Sequence, residues 1–152
     1  MIIIKPHHFM DIIKLYGAGI ECFVPDKAFE HDFYKVANEI VNHLDCKLML
    51  TIEGDDICRP CNRFDGKVCT DPLVGIVEGY DKKDVYNKAI DERIINQLKL
   101  DVNKSYTAKD LLQRIGSDRD IIFHVWKEEA PAFTSKRNDL FRKGFSKLME
   151  QI

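Results

Sequence analysis

The chain contains no run of the ~20 apolar residues that a membrane-spanning helix requires. It also lacks a signal-peptide core followed by a cleavage site. The opening stretch MIIIKPHHFMDIIKLYGAG begins apolar, but Lys5, Pro6, two histidines and Asp11 interrupt it. Charge of one sign is missing too: 23 basic against 25 acidic residues leave a formal net charge of -2. No global field therefore draws in nucleic acid or an anionic membrane. Repeats, low-complexity tracts and long linkers are absent. The expectation is a soluble, cytoplasmic protein whose partners must be argued from sites. With 152 residues, 45% of them hydrophobic, one domain spanning 1–152 is expected.

Cysteine is scarce, and its placement is uneven. Of five cysteines, three fall within LMLTIEGDDICRPCNRFDGKVCTD, residues 48–71, with no evident pairing scheme. That distribution argues against a disulfide framework and for metal ligation in a reducing compartment. Cys58 and Cys61 stand at C-x2-C spacing, which lets one turn aim both sulfurs at one point, and Cys69 arrives later in the same loop. Thiolates suit zinc or an iron-sulfur cluster, whereas calcium and magnesium want oxygen. Gly54, Pro60, Gly66 and the Asp55-Asp56 pair supply turn chemistry, and Asp65-Gly66 predicts a tight reversal that folds Cys69 back towards Cys58. Cys22 and Cys46 are expected as small buried hydrophobes.

The flanking pattern predicts an α+β fold, mostly helical, with a small sheet. Ile2 to Ile4 reads as a buried strand stopped by Pro6, which then opens a helix ending at Gly17-Ala18-Gly19. Asp26 is the expected N-cap of a second helix reaching Leu44. Lys47 to Ile52 reads as a strand that leads into the cysteine loop. Parallel pairing of the two strands is expected, which brings His7, His8 and Asp11 close to Asp55. Further on, Pro72 to Tyr80 reads as an apolar connection and Asp81 to Leu100 as a helix. Thr107 and Asp110 form a capping box for a helix ending at Gly116. Asp118 to Glu129 fits a helical stripe better than alternation, Pro131 breaks it, and Ser135 to Gln151 closes as an amphipathic helix.

Three cysteines leave one coordination position, for which the helix start offers His7, His8 or Asp11. With a histidine the set closes a structural zinc site. An iron-sulfur cluster tolerates a histidine, a carboxylate or an open corner. A fully ligated centre makes a redox or binding module with an electron-transfer partner. An open corner makes an enzyme, with Asp11 and a histidine as acid and base acting on a small molecule in lyase or sulfur-removal chemistry.

Lys5-Pro6-His7-His8, Gly17-Ala18-Gly19, Glu53-Gly54-Asp55-Asp56-Ile57-Cys58 with Cys61 and Cys69, Tyr80-Asp81-Lys82, Leu98-Lys99-Leu100 and Tyr106-Thr107 together resemble the bacterial and archaeal family named domain of unknown function 1284. The resemblance implies an iron-sulfur cofactor and no particular reaction. Two departures stand out. The family pattern carries a further cysteine where this chain has Asp11, and a second cysteine group before a Trp where this chain has Phe123-His124-Val125-Trp126. One centre rather than two is therefore implied.

Overall fold

A computed structural model describes residues 1–152, the side chain of Ile76 excepted. The fold is α+β, with six helices and two small sheets. Strand β1 (Ile2–Ile4) pairs in parallel with β2 (Lys47–Leu50), Ile4 facing Leu50 across the register. The short strand β5 (Ser105–Thr107) adds antiparallel to the other side of β2. Two parallel neighbours place both strand ends on one edge, so the segments that leave β1 and β2 emerge side by side.

Helix α1 (Pro6–Gly17) starts directly after β1, with Pro6 in the first turn where its missing N–H is no loss. Phe9, Met10, Ile12 and Ile13 form its buried stripe. Burial of each such side chain stabilises by roughly 1.5–3 kcal/mol. The stripe packs on α6 (Pro131–Met149), the longest helix, whose Phe141 and Leu148 are fully buried. The two backbones nearly touch: a Cβ built on Gly17 would lie 1.8 Å from the carbonyl oxygen of Leu140, and one on Gly144 1.8 Å from that of Ile13. Glycine is required at both positions for the helices to sit at this distance.

Helix α3 (Lys83–Leu98) packs against α1 and against the short α5 (Ile121–Val125), while α4 (Ala108–Gly116) begins at the predicted capping box. There Asp110 donates its N–H to Thr107 Oγ1 and its carboxylate accepts the Thr107 N–H, both at 3.0 Å.

Four expectations are corrected. Helix α2 covers only Phe33–Asn42 rather than starting at Asp26. Asp26 does cap, accepting the N–H groups of Ala28 and Phe29, but that turn ends at Glu30 in the left-handed region, φ 60. The carbonyls of Ala28 and Phe29, which a continuing helix would use, are taken by Asn62 of the cysteine loop. Residues 72–80 are not a plain connection: β3 (Pro72–Val77) and β4 (Tyr80–Lys82) form a hairpin turned at Gly79, φ 87. Only five residues of the 118–129 segment are helical, and Pro131 opens α6 instead of merely ending what precedes it. Cys22 is exposed, and Cys46 is half-buried.

Candidate metal centre

The site is built where the ends of β1 and β2 meet, and Asp55 is its keystone. This carboxylate, 0% exposed, accepts the Lys5 N–H at 2.8 Å, the Cys58 N–H at 3.0 Å and His8 Nδ1 at 2.7 Å. Next to it Asp56 exchanges two bonds with Ile3, N–H to carboxylate at 2.8 Å and N–H to carbonyl at 3.0 Å. The loop is thus stitched to β1 as if it prolonged the sheet. Burial pushes the Asp55 pKa up, but the charge and hydrogen bond of His8 and the Lys5 N–H outweigh it and hold the carboxyl well below the usual range. An ionised carboxylate only accepts, so His8 Nδ1 carries a proton towards Asp55 and Nε2 is the ring atom left for a metal. A histidine oriented in this way by a carboxylate is the usual form of a metal-ligating imidazole.

His7 has the same arrangement on the other side. Asp91, from the middle of α3, accepts both the His7 N–H and Nδ1 at 2.8 Å through one oxygen, while its second oxygen is buried without a partner. Burial lowers the His7 pKa, but the Asp91 charge and hydrogen bond overcome this and the net shift is upward. The two imidazole rings lie 4.3 Å apart, centroid to centroid.

The cysteines owe their positions to turn geometry. The N–H groups of Cys58 and Arg59 bond the Asp55 carbonyl, and that of Cys61 bonds the Cys58 carbonyl, so Cys58 and Cys61 sit one turn apart. Beyond them Asp65 accepts the N–H groups of Lys67 and Val68 at 2.8 Å, Gly66 adopts φ 99, and Phe64 pairs with Cys69 in an antiparallel bridge. That is the expected reversal. The Cys69 N–H is then anchored to buried Asp84 at the start of α3, at 2.9 Å. Burial and the Asp55 charge push the Cys58 thiol up to about 12.

All six expected site residues, Cys58, Cys61, Cys69, His7, His8 and Asp11, line one cavity of about 540 Å³. Their roles within it differ. Ligand atoms of His8, Asp55 and Cys58 lie within 4.8 Å of one another, a group that could hold a metal ion. Among the described residues no other such group of three exists, so the three thiols do not close on a single point. Asp11 is engaged by Arg137 at 3.0 Å and Lys14 at 3.3 Å. The donors free to face the cavity are thiols and imidazole nitrogens, a set matched to soft and borderline metals.

Over residues 26–125 the chain matches the family described as Protein of unknown function (DUF1284). It belongs to that family. The matched part of this DUF1284 member contains the cysteine loop, Asp55, Asp84 and Asp91, whereas the histidine pair on α1 and all of α6 lie outside it. No curated protein and no solved structure matches the chain.

Three residues of the site escaped the sequence reading. Asp91 carries a usable signal, since it stands three residues before Ile94 and seven before Leu98, on the apolar face of α3. A carboxylate inside an apolar stripe asks for a partner. Asp84, seven residues earlier, lies on that same face. Lys5 gives no such sign.

Proposed function

We propose that this protein binds a thiolate-ligated metal centre, an iron-sulfur cluster, through Cys58, Cys61, Cys69 and His8. The observation that carries this reading is the lining of a single cavity by three cysteines together with His7 and His8, each of these two imidazoles held at Nδ1 by a buried carboxylate. Spread thiols around a roomy cavity favour a group wider than one ion. His8 is preferred to His7 as the fourth ligand, because it groups with Cys58 and its ring is less buried. Asp11 is the weakest candidate, since ligation would strip Arg137 and Lys14 of their partner. His7 in this reading supports the centre from beside it.

Once bound, a cluster would supply reversible one-electron storage, or a Lewis-acidic corner if His8 let go. The chain's own contribution is to hold the ligands and to fix each imidazole at Nδ1, which leaves Nε2 as the atom a metal would take, with release of any proton there. Past the cysteines the cavity continues along Tyr86, Asn87 and Trp126, which is room for a small molecule.

A second reading, structural zinc, has the tight His8, Asp55 and Cys58 group in its favour. Purification under strict exclusion of oxygen separates the two. Brown protein with visible absorption and bound iron and sulfide supports the cluster; colourless protein with one zinc per chain overturns it in favour of zinc. Protein with neither metal after reconstitution overturns both.

A further inference from the structure

Lys5 is 3% exposed and lines the cavity. Its backbone N–H is fixed by Asp55, yet its ammonium has no carboxylate and no hydrogen-bond acceptor among the described residues. The ammonium is not among the sealed polar atoms that lack a partner, so it is the cavity that its charge faces, and a cation without a counter-charge in so enclosed a place is costly. It is also out of keeping with the rest of the wall. Every other charged side chain lining the cavity has a partner: Asp11 with Lys14 and Arg137, Glu129 with Arg137, Asp71 with Lys83 and Arg63, Asp26 with His31. Lys5 alone is left over, close enough to Cys58 and His7 for its charge to act on both.

We propose that Lys5 is the counter-cation of the thiolate centre: its ammonium, which no carboxylate of the described residues pairs, balances the negative charge that appears when Cys58, Cys61 and Cys69 are ligated. This rests on reading the cavity as a metal centre. Three thiolates around a zinc ion, or around a four-iron core in its doubly positive state, leave one net negative charge. One ammonium cancels it. The wall's other cations, Arg63, Lys83 and Arg137, are already paired, so none is free for the task, and the buried carboxylates Asp55 and Asp91 behind the histidines only add to the charge to be offset. Lys5 also sits directly between β1 and Pro6, so the strand end that delivers the histidines delivers the charge with them.

The test uses Zn2+ as the probe on the full chain under anaerobic conditions, with affinity read by competition against a chromophoric chelator. Lys5→Met, which keeps the length and removes the charge, should bind Zn2+ about 10–100-fold more weakly, as loss of an outer partner of a metal site does. Lys5→Arg should restore most of that loss. The metal-free proteins supply the discriminating readout: Lys5→Met should melt at the same temperature as the wild type or higher, because a stranded buried charge has gone. Undiminished Zn2+ affinity in Lys5→Met overturns the proposal. A lower melting temperature of its metal-free form does so too, since it makes Lys5 an ordinary structural residue. A wild-type chain that takes up neither Zn2+ nor, on reconstitution, an iron-sulfur cluster overturns the metal-centre reading itself, and this assignment with it; if it takes up only the cluster, iron per chain is the readout on which the same variants are judged.

Discussion

His8 Nδ1 stands 2.7 Å from Asp55 Oδ2, and that same oxygen accepts the Lys5 N–H at 2.8 Å. One carboxylate therefore orients an imidazole and ends a strand. Asp55 cannot be changed without disturbing both the sheet edge and the cysteine loop.

Asp55→Ala leaves the buried Lys5 N–H and His8 without an acceptor, while the Cys58 N–H keeps only the carbonyl of residue 55. Metal-free protein should lose about 3 kcal/mol of stability in urea unfolding, the scale for breaking a buried pair. A loss below about 1 kcal/mol, the worth of an exposed pair, would show that Asp55 is not the keystone of the site.

Single serine substitutions at Cys58, Cys61 and Cys69 should each reduce metal per chain measured by elemental analysis, while Cys22→Ser and Cys46→Ser should not. The two bystanders can also be told apart from each other. Burial and the Glu39 charge push the Cys46 thiol up to about 11, so in mass-mapped alkylation near pH 8 exposed Cys22 should be modified well before Cys46. Equal labelling of both would contradict the placement of Cys46.

Acid sensitivity has a named contributor away from the cysteine loop. Glu128 meets the Arg93 guanidinium through two contacts, one of them 2.6 Å, and that hydrogen bond holds its carboxyl below the ordinary 4.5. A depressed carboxyl contributes stability that is fully present above the unfolded value and is lost as pH falls through the folded one. Glu128→Gln should thus cost about 1 kcal/mol at neutral pH. The gap from wild type should close as pH falls below the ordinary value. A gap that persists into strong acid would mean that packing, not the ion pair, sets the difference.

Gly144→Ala drives a methyl into the Ile13 carbonyl at 1.8 Å. The helices must part, and a loss of about 3 kcal/mol is expected, at the upper end for overpacked sites. Because Arg137 lies two turns earlier on α6 and reaches Asp11 on α1, metal retention should fall with it. A variant as stable as wild type would rule out the close approach of the two backbones.

Local signals carried much of the fold. Pro6, the Thr107–Asp110 box and the Asp65-Gly66 reversal each depend on neighbours within four residues, and each appears as read. The parallel β1–β2 pairing was also legible, from the order of strand, helix and strand. What failed was decided at long range. Asn62 takes the carbonyls that would have let a helix run on from Asp26, a contact spanning 34 residues. The hairpin of β3 and β4 hid in a short apolar run whose Gly79 was a turn signal. At the site, the thiols and imidazoles were visible by type and spacing. Their supports were not, because Asp91 lies 84 residues from His7 and Arg137 lies 126 from Asp11.

The glycine seam between α1 and α6 also fixes a sequence of events during synthesis. The cavity wall draws on residues from Lys5 to Arg137, so the pocket cannot close until the first turns of α6 have left the ribosome. Before that point the emerging chain offers the cysteine turns and the histidine pair without the helix that encloses them.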